Sequence, residues 1–197
     1  MYANPRKTKT ARRLGVVDIV TLREAVLALP EEVWQSENSV KPNRFDALDQ
    51  ATHIVFRFVT SFNDWRVSAD HRLWPEWRGL LEPVLNQAVA PYNYARGAFP
   101  RIMLARLAPG GVIHPHRDAN PAAKWPHKIH VPLQTSQETI FYVDCVGYSF
   151  PEGEAVEVNN MGVHSVVNAG STDRIHLIFE YYDLDQAEPE WIGAASA

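Results

Sequence analysis

The stretch His114-Pro115-His116-Arg117-Asp118 decides how the rest of the chain reads. It follows an apolar run from Ile102 to Ile113 and sets an imidazole and a carboxylate two residues apart. Side chains two apart on a β-strand share a face, so His116 and Asp118 are placed to hold one metal ion together. Beyond them, His164 stands in the Gly- and Asn-rich setting Asn159-Asn160-Met161-Gly162-Val163-His164, and Arg174 opens another apolar run ten residues later.

Outward from this stretch, short β-forming segments are divided by Gly, Pro and Asn. They cover roughly 101–107, 112–116, 128–133, 139–143, 155–158, 164–167 and 174–182. Pro109-Gly110-Gly111, Pro151-Glu152-Gly153-Glu154 and Asn168-Ala169-Gly170 are turn chemistry between them. The first half is mixed. Helical spacing marks Val20 to Leu29, stopped by Pro30, and Glu76 to Ala90, despite Pro83. Residues 52–60 alternate like a strand. Helices followed by many short strands predict an α+β fold, a double-stranded β-helix (jelly-roll, cupin-like) core with the N-terminal helices packed on one sheet. One domain is expected over 15–197, helix-rich over 15–97 and metal-binding jelly roll over 98–185.

With 197 residues, 46% of them apolar, the chain suffices for one such core. Six Trp and fourteen Pro suit a loop-rich fold with aromatic anchors. The single cysteine, Cys145, cannot form an internal disulfide, so a reducing, cytoplasmic setting and a buried strand position are expected. No apolar run reaches the roughly 18 residues of a membrane span. The net charge of −4 offers nucleic acid no attraction. Arg6, Lys7, Lys9, Arg12 and Arg13 precede any periodic pattern. Residues 1–14 therefore read as a poorly ordered basic tail, or as an arm for an acidic partner. No signal of oligomeric state is present.

Two imidazoles and one carboxylate with open coordination positions make the facial triad of non-haem Fe(II) chemistry. His116, Asp118 and His164 supply it, and Arg174 supplies a planar fork for a dicarboxylate co-substrate. His176 is the rival third ligand. Choosing it would leave Gln186 where an arginine is wanted. Choosing His164 frees Arg174, so His164 is preferred. His114 would fill a position that must stay open and is read as a packing residue. His130 either bonds the co-substrate or is a core histidine. His53 and His71 are read as structural or exposed, and His127 as part of a mobile loop. That loop, 120–127, either covers the substrate, with Trp125 as a wall and Lys124 or Arg117 meeting a carboxylate, or is ordinary surface.

These residues resemble the aspartyl/asparaginyl β-hydroxylase family of Fe(II)/2-oxoglutarate oxygenases. The likeness spans about Ala98 to Asp183. It rests on Leu107 to Gly111, His114 to Asp118, Lys128 to Leu133, Asn160 to Asn168 and Arg174 to Ile178. The resemblance implies Fe(II) on His116, Asp118 and His164, with O2 as oxidant. It implies 2-oxoglutarate held at its far carboxylate by Arg174, with His130 nearby. Lys128 stands where family members carry arginine, keeping the cation and losing the fork. Retention of Asp118 argues against halogenation. The implied reaction is hydroxylation of an amino-acid residue (an Asp/Asn-type β-carbon) in a peptide or protein, with succinate and CO2 as co-products. A free or N-modified small amino acid is the alternative substrate. A non-catalytic metal- or dicarboxylate-binding cupin-like sensor is the alternative from another class.

Overall fold

The computed structural model describes residues 6–186. In chain order its elements are β1 (Ala11–Val16), α1 (Val20–Leu27), α2 (Glu31–Ser39), β2 (Ala51–Ser61), β3 (Asp64–Asp70), α3 (Trp74–Val89), β4 (Gly97–Ala98) and β5 (Ile102–Leu107). There follow β6 (Val112–His116), β7 (His127–Gln134), β8 (Thr139–Val143), β9 (Val146–Tyr148), β10 (Glu154–Val158), β11 (His164–Asn168) and β12 (Arg174–Asp183). No helix among the described residues is long and apolar enough to cross a membrane.

Two antiparallel sheets face each other. The larger runs β1-β10-β7-β12-β5-β2-β3, with β4 on β12, and the smaller runs β6-β11-β8-β9. Period-2 alternation sorts the larger sheet's side chains between two environments. On β12, Ile175, Leu177 and Phe179 join a core with Leu22 and Val26 of α1, Trp34 of α2 and Leu81, Val84 and Leu85 of α3. The intervening Arg174, His176 and Glu180 are buried too, though polar. Strand β7 repeats the pattern, sending Ile129, Val131 and Leu133 into the helix-side core and Lys128 and His130 to the cavity. A second core joins the sheets through Ala51, Leu107, Ile113, Phe141, Val143 and Val166.

All three α-helices among the described residues fall within 15–97, and strands β2 and β3 of that part join the larger sheet beside β5. Several expectations are corrected. Residues 1–5 lie outside the described residues, but 6–14 are ordered. Strand β1 pairs with β10, Arg12 bonds the fully buried Glu157 at 2.6 Å, and the Thr8 amide bonds it at 3.2 Å. A carboxylate taken out of water demands such partners, and Arg12 and the Thr8 amide are two of them. His127 sits on β7, fully buried, between Glu157 (Nδ1, 2.7 Å) and the Tyr94 hydroxyl (Nε2, 2.7 Å). It is no mobile-loop residue. Cys145 is exposed in the tight turn from β8 to β9, with φ +67°. Pro83 is tolerated within α3 because it lies on the exposed face.

Leu104 is fully buried between the sheet and the helices. Leu104→Ala is expected to lower the unfolding free energy by about 2–5 kcal/mol, read from the midpoint of urea denaturation.

Candidate metal centre

His116 ends β6 and stands directly opposite His164, which begins β11. Directly opposed residues of antiparallel strands bring their side chains together, and the two rings lie 4.2 Å apart. One residue of slack makes this register possible. His164 pairs with His116 but Val166 pairs with Ile113, so β6 carries an extra residue across that step. The bulge breaks the strict alternation expected of 114 and 116. It leaves His114 exposed and turns His116 inward.

Asp118 lies just past the strand rather than on it. Its amide donates to the Asn160 carbonyl at 3.0 Å, which carries the pairing one step further. Asp118 Oδ1 comes 3.9 Å from His116 Nε2. Ligand atoms of His116, Asp118 and His164 lie within 4.8 Å of one another, a group that could hold a metal ion. His176 is not part of it.

The donors are pre-set. His116 Nδ1 donates to the His114 carbonyl at 2.7 Å, and His164 Nδ1 to the Gly162 carbonyl at 3.1 Å. A carbonyl only accepts, so each ring carries its proton on Nδ1 and presents the Nε2 lone pair. Burial brings the His164 imidazolium down to about 4, so the ring is neutral near pH 7. A Cβ at Gly162 would come within 2.7 Å of Asp144 Oδ2, so a larger residue there would displace the Asp144 side chain. Burial alone would raise the Asp118 carboxyl. The Lys128 ammonium, bonded to Oδ2, instead holds it well below the usual range. Asn160 adds a 3.3 Å bond to the same oxygen.

A cavity of about 350 Å³ between the sheets joins this triad to Arg174 and His130. Arg174 is 1% exposed. Its Nη2 donates to His176 Nδ1 at 2.8 Å and to His130 Nδ1 at 3.5 Å. Both imidazoles must therefore be neutral acceptors, as burial beside the guanidinium also dictates. Arg174 Nε and Nη1 and the Nε2 atoms of His130 and His176 have no hydrogen-bond partner among the described residues. Burial lowers the guanidinium to about 9. Such a cluster of buried donors calls for an oxyanion. Of the other cations on this face, Arg101 is neutralised by Glu180, which Nη1 reaches at 2.6 and 2.7 Å.

The structure brings His116, Asp118, His164, Arg174 and His130 to one cavity. Arg117 and Asn120 line it as well, whereas Trp125 packs on Trp65, ring centroids 5.8 Å apart, and lines a separate small pocket. Sequence reasoning gave no role to His53, Lys128 or Asn160 here. His53 shows its signal in the alternation of β2, where it is buried and faces the cavity.

The family model described as aspartyl/asparaginyl beta-hydroxylase matches residues 30–183. No curated protein matches the sequence. Among solved structures, the non-haem alpha-ketoglutarate-dependent carbocyclase SnoK from nogalamycin biosynthesis aligns over 93% of this chain and 87% of its own, with TM-score 0.59 and 16% identity. A 2OG-Fe(II) oxygenase family oxidoreductase from Burkholderia pseudomallei aligns over 92% and 95%, with TM-score 0.54 and 10% identity. AviO1 from Streptomyces viridochromogenes aligns over 91% and 92%, with TM-score 0.54 and 16% identity. At such identities the likeness is one of fold.

Burial keeps His53 and His164 neutral down to about 3 and about 4, so the unfolded chain takes up protons first as pH falls. Their contribution to stability is full above the ordinary histidine pKa of ~6.5 and drains as pH drops through the acid side of it. Urea denaturation of metal-free protein at about pH 5 should show a loss of up to roughly 2 kcal/mol per histidine relative to neutral pH.

Proposed function

This chain belongs to the aspartyl/asparaginyl β-hydroxylase family, and from that premise we propose that it is an Fe(II)- and 2-oxoglutarate-dependent dioxygenase that hydroxylates an Asp- or Asn-type residue of a peptide or protein. The observation that carries this reading is the pairing, in one cavity, of the His116/Asp118/His164 group with a buried arginine that no carboxylate among the described residues matches. His116 Nε2, Asp118 Oδ1 and His164 Nε2 would hold the iron. Arg174 would take the far carboxylate of 2-oxoglutarate, with His130, which also lines the cavity, as an added donor. When bound, iron and co-substrate supply the oxidation of a C–H bond by O2, with succinate and CO2 as co-products.

The chain's own residues do the rest. The carbonyls of His114 and Gly162 hold both imidazoles in the ligating tautomer. Lys128 and Asn160 engage Asp118 Oδ2 and leave Oδ1 on the His116 side. Phe141 lies parallel to the His164 ring at 6.0 Å and shields it from water. At the rim, Phe45 and Phe62 are 49% and 40% exposed, beside the exposed Arg117. Apolar surface flanking a cavity suits a peptide laid across its mouth. A free or N-modified small amino acid is the second reading, favoured by the confined volume of about 350 Å³.

Fe(II)-loaded protein should convert 2-oxoglutarate to succinate. His116→Ala should abolish that conversion, whereas persistence of turnover would refute the assignment. Mass spectrometry over peptide and amino-acid libraries, scored for the gain of one oxygen atom, then separates the two substrate readings. Arg174→Met should weaken 2-oxoglutarate binding in calorimetry by roughly thirtyfold or more. The metal-free protein should be no less stable for the change, because an unmatched buried charge is gone.

A further inference from the structure

Lys7 lies outside the family-matched residues 30–183, yet it reaches the scaffold of the metal centre. Its Nζ donates to Asn160 Oδ1 at 2.5 Å and to the Ala123 carbonyl at 2.9 Å. Asn160 is fully buried. Its Nδ2 donates to Asp118 Oδ2 at 3.3 Å and to the same Ala123 carbonyl at 3.1 Å. Its backbone carbonyl receives the Asp118 amide. One residue therefore grips the carboxylate by side chain and main chain, and Lys7 grips that residue.

We propose that Lys7 is a positioning residue for the metal centre, fixing the Asn160 amide so that its NH2 group faces Asp118 and the carboxylate keeps one oxygen for iron. The physics is that of an amide with two possible orientations. With an ammonium against Oδ1, the flipped amide would set NH2 against NH3+ and its oxygen against the Asp118 carboxylate. Both contacts repel, so only one orientation survives. Without the ammonium, the amide turns more freely and the carboxylate loses a fixed donor. The lysine is held in place by the rest of its segment: the Thr8 amide bonds Glu157, and β1 is laddered onto β10. Partners that orient a ligating carboxylate typically govern about 10- to 100-fold in metal affinity.

This inference rests on the metal-binding reading above, and the test separates the two. Mn(II) binding to the full-length, metal-free protein is measured by calorimetry for the parent, Lys7→Met, Asn160→Ala and the double variant. The parent should bind, and Lys7→Met should raise the Kd about tenfold or more. The double variant should bind no more weakly than the weaker single variant, because both act through one contact chain. Arg13→Ala, which removes only the rim pair with Glu154, should leave the Kd unchanged. If Lys7→Met does not fold, Lys7→Gln replaces it and should show the same loss. A parent that binds no Mn(II) overturns the functional reading together with this inference. A binding parent whose Lys7 variants keep their Kd within twofold, or whose losses add in the double variant, overturns the inference alone.

Discussion

A cation withdrawn from water must meet an anion, and the inner face of the larger sheet is organised around that demand. Arg101 meets Glu180, and Lys128 meets Asp118. Arg174 meets two neutral imidazoles and no carboxylate. The first pair is closed. The second is half-open, because Asp118 has another oxygen to give. The third is open altogether. Moving along this face from Arg101 to Arg174 thus leads from paired charge to charge that no carboxylate among the described residues matches. The helices covering the opposite face supply the apolar burial that keeps this polar seam assembled.

Much of this was legible. The strands from residue 102 onward, the short exposed β9 excepted, were readable because they are either buried on both faces or separated by turn chemistry that leaves few alternatives. That His116, Asp118, His164 and Arg174 share one cavity was foreshadowed by their residue types and spacing. The reason first given for His116 and Asp118 was too simple, however. Alternation on one strand would have turned 114, 116 and 118 the same way, whereas a bulge exposes His114 and Asp118 follows the strand's end.

What escaped the sequence was of two kinds. Edge strands β1 and β3 carry little apolar alternation, since they present mostly exposed residues, and so resemble loops. The segment before His127 looked mobile because prolines bracket it. In the fold it makes one short turn and re-enters the sheet. Helix α2 did leave a trace, in Pro30 followed by two acidic residues in its first turn. The second kind is contact between distant residues. Neither the match of Lys128 to Asp118 nor the burial of a basic N-terminal residue beside Asn160 can be read from local pattern.

The separation of Lys7 from Asn160, 153 positions along the chain, has a consequence for biosynthesis. A ribosome reaches residue 160 after adding 153 residues beyond residue 7, at roughly 5–20 residues per second. The lysine must therefore wait on the order of ten seconds for its partner, as must β1 for β10. An emerging chain has its carboxylate and first imidazole long before the element that orders them. The scaffold around Asp118 is in this sense completed late, since Lys7 has no Asn160 to bind until 153 further residues have been added.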